Sequence, residues 1–248
     1  ALVAFDQALI PWERVLAAGD LMGYGALIPA FMPGYLMLQA VVRGAAKLQL
    51  FTGIAMKAAE AVGRLHQPRY QEVVGELVGY CEMAEGLIEA TARQVYDNVL
   101  GNPEAQLSPP LAAWQAQALC KPLPRGMAGF AAIRFLYPMA MERAREAIHL
   151  LGSSGLVMTP TQADFANPAT GPLLERYLVG RGASARERVR VMKLAWDAVA
   201  TEFGGRQALY EQFFAGDPVL GRQLFFQAPR AHMAQALAER LLAQSDPG

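Results

Sequence analysis

This sequence has little cysteine and histidine, and it carries no excess charge of either sign. Its 248 residues include two cysteines and three histidines, and 22 Lys and Arg balance 22 Asp and Glu. Cys81 and Cys120 lack CxxC spacing, which argues against a disulfide framework and a structural zinc site. A balanced charge gives no electrostatic basis for nucleic acid or an anionic membrane as the main partner. We therefore expect a cytoplasmic protein.

The motifs of several common enzyme classes are also missing. His66, His149 and His232 lie far apart, and none has a second ligand at helical spacing, so no metal site is expected. The sequence has no HExxH motif of a zinc protease and no Ser-His-Asp order typical of a catalytic triad. It also has no GxGxxG motif after a strand, the pattern of a dinucleotide-binding site. Its longest uncharged run, residues 21–42, contains prolines and glycines, so we expect a buried loop that leads into a core helix.

The first residues have the pattern of a β-strand. Residues 3–15 alternate loosely between apolar and polar side chains and end in a Pro-Trp-Glu-Arg-Val segment. A lone strand is not stable by itself, so we predict that residues 1–18 are the strand and exit turn of an upstream β domain. The chain is then expected to be the C-terminal part of a longer protein, with residues 19–248 forming a C-terminal helical-bundle domain.

Apolar side chains recur at three- and four-residue steps through most of the chain after Gly34. Helices are predicted at residues 35–63, 70–100, 111–120, 126–151, 173–179 and 228–244, with a kink at Pro138. Ser184 and Glu187 form a capping box that opens a further helix. The apolar stripe of that helix comprises Val189, Met192, Trp196, Val199 and Phe203. Four long helices with short connections predict an all-α fold, a four-helix bundle preceded by the remnant β-strand.

A segment near the C-terminal end has the composition of a cofactor-binding turn. It consists of Glu202, Phe203, Gly204, Gly205 and Arg206. Paired glycines let backbone N–H groups approach a pyrophosphate, and a helix that begins at Gln207 would add the positive end of its dipole. The Arg206 guanidinium would bind a phosphate in a bidentate manner. An ordinary helix–helix turn with a glycine cap accounts for the same spacing.

Two further segments offer polar groups at suggestive positions. Gly152, Ser153, Ser154 and Gly155 follow a long helix. They supply hydroxyl donors and backbone amides that suit the polar middle of a cofactor. The alternative is that they form only a helix cap and a loop. Gln39, Arg43 and Lys47 repeat at four-residue steps on one helix face, which would meet a cofactor, a neighbouring subunit or solvent.

Several segments, in order along the chain, resemble the family of 4-hydroxyphenylacetate 3-hydroxylase large (oxygenase) components. Residues 5–15 resemble the strand that closes the family's middle β domain, and residues 39–48 resemble the opening of its first long bundle helix. Residues 154–168 resemble its glycine-and-serine loop. The most specific match is residues 188–211, which include the Glu-Phe-Gly-Gly-Arg segment.

The resemblance implies an architecture like that of acyl-CoA dehydrogenases, with FAD between a β domain and a C-terminal four-helix bundle, and a homotetramer packed through the bundles. It implies ortho-hydroxylation of a phenol in the catabolism of aromatic compounds, with FADH2 supplied by a separate reductase. The implied flavin contacts are Phe203, Gly204, Gly205 and Arg206, followed by Gly152, Ser153, Ser154, Gly155, Gln39 and Arg43. The catalytic residues are expected in the N-terminal domain and have no counterpart in this chain.

Two alternatives stay open at this point. The family also contains 4-hydroxybutyryl-CoA dehydratase, which combines FAD with an iron–sulfur cluster held in part by a histidine shortly before a cysteine. Residues 74–79, before Cys81, contain no histidine, which disfavours that alternative. The other is a non-catalytic helical oligomerisation domain, and the retained segment 203–206 argues against it.

Overall fold

The described parts of the chain are mostly helical. A computed structural model of the protein describes residues 2–15, 18–22, 37–99, 128–214, 216–227 and 229–245. The predicted helix at residues 111–120 and most of the uncharged run at 21–42 lie outside these ranges. Within them the predicted all-α class is confirmed.

Two long helices occupy the first part of the described fold. Helix α1 spans Met37–Ala61 and helix α2 spans Pro68–Val99, close to the predicted limits. The turn between them contains Gly63, whose φ of +69° lies in the left-handed region that favours glycine. Pro68 begins α2 at a position where a missing N–H removes no intrahelical hydrogen bond. So short a connection makes α1 and α2 antiparallel neighbours.

Helix α3 covers residues 128–152 in three consecutive segments. These are Ala128–Ala131, Ala132–Leu136 and Tyr137–Gly152, with helical backbone angles at the junctions. The middle segment is a π-helical turn that ends two residues before Pro138, where the sequence predicted a kink. Pro138 has no N–H to donate to the carbonyl group four residues earlier, so the wider π turn accommodates the proline.

Close packing of α1 on α3 depends on Gly44 and Tyr137. A Cβ atom at Gly44 would lie 2.4 Å from Cε2 of Tyr137, so the missing side chain lets the ring lie against α1. The Tyr137 hydroxyl donates to the Val41 carbonyl oxygen at 2.6 Å. Burial raises the pKa of Tyr137 well above its ordinary value, which keeps the phenol protonated and able to donate.

The helices predicted at residues 126–151 and 173–179 leave the segment between them without a helix, but the structure has short helices there. A 3₁₀ turn spans Ser153–Leu156, helix α4 spans Gln162–Ala166 and helix α5 spans Gly171–Tyr177. Thr161 caps the N-terminus of α4 through a reciprocal pair of hydrogen bonds, which explains why so short a helix forms.

Helix α6 spans Ala185–Val199 and begins at the predicted capping box. Most of its predicted stripe is confirmed, since Val189, Met192 and Val199 are buried. Trp196 and Phe203 were wrongly assigned to the core, because they are 38% and 58% exposed. An indole is large and is rarely enclosed completely, and Phe203 belongs to the next helix, where the periodicity of α6 does not continue.

Helix α7 spans Glu202–Phe213, so it begins five residues before the predicted start at Gln207. The Gly204 N–H donates to the side-chain oxygen of Thr201 at 3.1 Å, which makes Thr201 the N-terminal cap. The predicted turn through Gly204 and Gly205 is therefore wrong, because both glycines lie within the helix. Paired glycines resemble a helix end in sequence, but here the threonine cap before them decides where the helix begins.

Helix α8 spans Pro218–Phe226 and helix α9 spans Pro229–Ser245. The main core lies between the inner faces of α1, α2, α3 and α6. Its largest fully enclosed side chains are Tyr137, Leu48, Leu77, Ile148, Leu151, Met192 and Val41. Among the helices in the described ranges, none combines the length and the apolar character that crossing a membrane requires.

The N-terminal segment shows a single 3₁₀ turn at Trp12–Arg14. No strand is present in residues 2–15, and the ranges given above contain no strand that could pair with them. A strand needs a neighbour to complete its hydrogen-bond ladder. The predicted strand is therefore not confirmed, and the domain limits 1–18 and 19–248 stay predictions.

Candidate functional site

The candidate site begins at the corner where α6 ends and α7 starts. A Cβ atom at Gly204 would lie 2.8 Å from the carbonyl oxygen of Ala198, so the two helices can cross this closely only at a glycine. A Cβ atom at Gly205 would contact nothing within 4 Å. The two glycines therefore differ. Gly204 is required by the helix crossing, whereas Gly205 leaves the surface of α7 open.

The outer side of the first turn of α7 presents Phe203 and Arg206 to solvent. Residues three apart are neighbours on a helix surface, so a ring and a guanidinium stand side by side. The N–H groups of Glu202 and Phe203 have no intrahelical acceptor, and the positive end of the helix dipole lies there. A flat ring that carries phosphates matches this combination. The Gly204 N–H is not available to a ligand, because Thr201 accepts its hydrogen bond.

The candidate loop after α3 is largely explained by packing. A Cβ atom at Gly152 would lie 2.7 Å from Leu156, and one at Gly155 would lie 3.2 Å from Sδ of Met192. Both glycines are buried, whereas Ser153 and Ser154 are exposed. Ser153 has a φ of +48°, an uncommon conformation for a residue other than glycine. The hydroxyl groups of this turn face solvent and remain available to a ligand.

The polar stripe on α1 meets α7 instead of solvent. Arg43 Nη1 donates to Glu211 Oε1 at 2.6 Å, and Lys47 Nζ donates to the same oxygen at 2.5 Å. Lys47 Nζ also donates to Gln207 Oε1 at 2.7 Å. Gln39, the third residue of the predicted stripe, is exposed and takes no part in this network. Arg43, Lys47, Gln207 and Glu211 form what we call the α1–α7 ion cluster.

Aromatic rings complete the surroundings of Arg43. Its guanidinium carbon lies 5.0 Å from the centre of the Tyr210 ring and 4.7 Å from that of Phe214, within the range of cation–π contacts. The Glu211 side chain is only 3% exposed. Burial raises its pKa, but hydrogen bonds from Arg43 and Lys47 and their charges outweigh burial, so the pKa of Glu211 lies below its ordinary value.

The sequence reading missed the α7 half of this cluster. Gln207 and Glu211 are four residues apart, as are Arg43 and Lys47, so two complementary pairs face each other across the helices. The spacing of Gln207 and Glu211 was a usable signal. Both residues fall within the helix predicted from Gln207, but their partners on α1 depend on how the two helices pack.

The three predicted groups of site residues do not all come together. Arg43 and the start of α7 belong to neighbouring helices joined by the ion cluster. The Gly152–Gly155 turn instead packs on α6 at Met192, nine residues before Thr201, which corresponds to about 14 Å along a helix. In the parts of the chain that the structure covers, no three His, Cys, Asp or Glu side chains are grouped to hold a metal ion.

Comparison with known proteins supports one family. The family model described as 4-hydroxyphenylacetate 3-hydroxylase C terminal matches residues 32–243. The oxygenase component of 4-hydroxyphenylacetate 3-monooxygenase from Thermus thermophilus is 35% identical over 219 residues, which cover 88% of this chain and 41% of that protein. The oxygenase component of 4-nitrophenol 2-monooxygenase from a Rhodococcus species is 33% identical over 252 residues, covering 99% of this chain and 45% of that protein.

Comparison with solved structures supports the same family. The crystal structure of the oxygenase component of 4-hydroxyphenylacetate 3-monooxygenase with FAD and 4-hydroxyphenylacetate matches with a TM-score of 0.74 and 32% identity, covering 98% of this chain and 48% of that one. An archaeal 4-hydroxybutyryl-CoA dehydratase matches with a TM-score of 0.66 at 17% identity, which shows a shared fold alone.

The chain spans about half the length of the relatives that it matches, or somewhat less. The family model nevertheless covers most of it, from residue 32 before α1 to residue 243 in the last turn of α9, and includes both helices of the ion cluster. The resemblance noted from the sequence is therefore confirmed, and this chain belongs to the 4-hydroxyphenylacetate 3-hydroxylase family, of which it represents the C-terminal part.

Proposed function

We propose that the protein is the oxygenase component of a two-component, FADH2-dependent phenol hydroxylase, and that this chain is its flavin-binding and oligomerisation part. The observation that carries the proposal is the match over 98% of the chain to a relative whose structure contains FAD and 4-hydroxyphenylacetate. The exposed Phe203 and Arg206 at the start of α7 add a surface on which such a cofactor fits.

The substrate class follows from what the relatives are named for. One is a 3-monooxygenase of 4-hydroxyphenylacetate and another is a 2-monooxygenase of 4-nitrophenol. In both compounds the numbered carbon lies next to the carbon that bears the phenol oxygen. We infer that this protein also hydroxylates a phenol at the ortho carbon, whatever group the para position carries.

We assign the flavin contacts in two ranks. Phe203 would lie against the ring system, Arg206 would pair with a phosphate, and the bare surface at Gly205 would allow close approach. Gly204 acts indirectly, because it holds the corner. In the second rank, the hydroxyl groups of Ser153 and Ser154 would contact the cofactor from the turn between Gly152 and Gly155. The exposed Gln39 side chain would contact it from α1. Arg43 is committed to Glu211, so it positions α7 rather than binding.

The bound flavin supplies the chemistry with dioxygen. The part of this chain is to orient the ring system and keep water away from it, because exposure to water diverts activated oxygen from the phenol. Exposed apolar side chains suit this task. Phe203 and Leu209 are more than half exposed on the outer side of α7. The remaining walls and the groups that hold the phenol are expected outside this chain.

The partners follow from the same assignment. A separate reductase would supply FADH2, because the relatives are named as oxygenase components. A homotetramer is the expected assembly, and exposed apolar residues along α9, such as Met233, Leu237 and Leu241, suit a subunit contact. Sedimentation of the 248-residue chain tests this, since a monomer at micromolar concentration would contradict it.

The proposal is tested by anaerobic titration of the chain with FADH2, followed by fluorescence, against a parallel titration with oxidised FAD. Tighter saturable binding of the reduced form is expected. Arg206→Ala should weaken that binding by about 1–3 kcal/mol, the value of a hydrogen bond to a charged group. Arg93→Ala, on the exposed face of α2, serves as the matched control and should leave binding unchanged. Equal affinity of both variants would remove Arg206 from the site.

The two alternatives make different predictions. A dehydratase-like flavoprotein would need ligands for an iron–sulfur cluster, and residues 74–79 before Cys81 offer no histidine. A non-catalytic oligomerisation domain would bind neither form of the flavin. If the titration shows no binding, the same experiment on a longer chain that includes the upstream half distinguishes a missing β domain from a chain that only assembles.

A further inference from the structure

A pocket separate from the outer face of α7 lies between α1, α3, α7 and α8. Its volume is about 370 Å³, which is within the range of small-ligand sites, roughly 300–1,000 Å³. Its apolar lining is formed by Phe51, Pro138, Met139, Met141, Ala208 and Pro218. These side chains offer flexible thioethers and flat surfaces, which suit the body of a small aromatic or aliphatic compound.

The polar part of the pocket is the α1–α7 ion cluster. Lys47, Gln207 and Glu211 all line the pocket, and the Lys47 side chain is 21% exposed. Lys47 and Arg43 share the one carboxylate of Glu211. This group therefore carries one positive charge in excess, and the ammonium group of Lys47 is the part of it that a ligand in the pocket would meet.

One arginine at the edge of the pocket, Arg222, favours the same sign of ligand, whereas the two others are balanced by glutamates. Arg222 lines the pocket from α8 and makes no ion pair with any residue that the structure describes. Arg145 and Glu142 also line it and form an ion pair, with Nη1 and Oε2 3.0 Å apart, so their charges balance, while Nε of Arg145 is buried without a hydrogen-bond partner. Arg143 is balanced by Glu76, with Nη2 and Oε2 2.7 Å apart. The pocket thus combines apolar walls with hydrogen-bond donors that lack an acceptor and with a local excess of positive charge.

We propose that this pocket binds a small aromatic carboxylate, with the carboxylate on Lys47 and the ring against the methionine and proline side chains. The pocket lies on the inner side of α7, where Gln207, Ala208 and Glu211 point. Phe203 and Arg206 point outward from the same helix, so the pocket is distinct from the proposed flavin contacts. The inference does not depend on the hydroxylase proposal.

Calorimetric titration of the 248-residue chain with benzoate tests the proposal, and benzamide serves as the neutral compound of the same shape. Benzoate should bind saturably, and benzamide at least about tenfold more weakly, because a charge-assisted hydrogen bond is lost. Lys47→Gln should also weaken benzoate about tenfold. Lys57→Gln, on the exposed side of α1 and outside the pocket, should not change it. Circular dichroism shows whether each variant is folded.

Each outcome decides the question. Saturable benzoate binding that Lys47→Gln weakens and Lys57→Gln leaves intact supports the assignment. Absence of saturable binding, equal binding of benzamide, or equal effects of the two lysine variants overturns it. Ala208→Trp, which would fill the pocket from its wall, gives an independent result on location, because it should abolish binding even if Lys47→Gln fails to fold.

Discussion

Two glycines of α1 show how different the same residue can be within one helix. Gly44 lies where the ring of Tyr137 contacts the backbone of α1, at 2.4 Å from the position of a Cβ atom. Gly53 lies on the exposed side of the same helix, where a Cβ atom would contact nothing within 4 Å. The first is therefore fixed by packing, and the second costs helix stability without a packing reason.

We expect Gly44→Ala to lower the free energy of unfolding by about 1–3 kcal/mol, as for other overpacked cores. The Tyr137 ring cannot move away without breaking its hydrogen bond to the Val41 carbonyl group. Gly53→Ala should raise stability by up to about 1 kcal/mol, since alanine is the better helix former. Urea unfolding of both variants measures the difference. Similar values for the two would show that the ring does not lie on α1 as described.

At the scale of elements, the corner between α6 and α7 is the most sharply defined feature of the site. Gly204 faces the backbone of Ala198, and a backbone cannot move aside as a flexible side chain can. We expect Gly204→Ala to destabilise the chain by about 1–3 kcal/mol and to displace the start of α7. Gly205→Ala, with open space around it, should be neutral or slightly stabilising.

The same pair of variants separates structure from binding. If Gly205 lies under a cofactor, Gly205→Ala weakens binding of reduced flavin while the melting temperature is unchanged or slightly raised. If the paired glycines serve only the corner, Gly205→Ala affects neither property. Thermal unfolding and the FADH2 titration, carried out on both variants, give the two readings. A stable Gly204→Ala variant would contradict the close helix crossing.

Which elements could be predicted from the sequence follows from what local chemistry decides. The periodicity of α1 and α2 and the capping box at Ser184 are local, and all three were found. The start of α7 was misplaced because Thr201 and the glycine pair give opposing local signals, and only the helix crossing decides between them. The partial exposure of Trp196 likewise depends on how closely α6 packs, which no single segment encodes.

At the scale of the whole molecule, the ion cluster joins residues that are 168 positions apart in the sequence. Arg43 and Lys47 were recognised as a stripe, but their partner could not be, because it depends on which face of α7 turns toward α1. The cluster ties α1 to the helix that carries the proposed flavin contacts. Its state of ionisation should therefore be visible in the stability of the entire fold.

The pH dependence of stability tests this coupling. The pKa of Glu211 is below its ordinary value, so the folded chain binds fewer protons at this carboxyl than the unfolded chain does. Its stabilising contribution is complete above the unfolded pKa, about 4.3, and is lost as the pH falls through the lower folded pKa. The pKa of Glu76, lowered by its hydrogen bond to Arg143, acts in the same direction. Unfolding free energy should therefore decrease from about pH 5 toward pH 3.

Glu211→Gln identifies the part of that change that comes from the cluster. At pH 7 it should destabilise the chain by about 1–3 kcal/mol, because Arg43 and Lys47 keep a hydrogen-bond acceptor but lose the buried negative charge. The gap between this variant and the unaltered chain should close as the pH falls, since a protonated Glu211 resembles glutamine. Glu146→Gln, at an exposed ion pair, should change stability by less than about 1 kcal/mol. Urea unfolding at pH 7, 5 and 3.5 measures all three proteins, and a Glu211→Gln gap of constant size would mean that packing, not ionisation, makes Glu211 important.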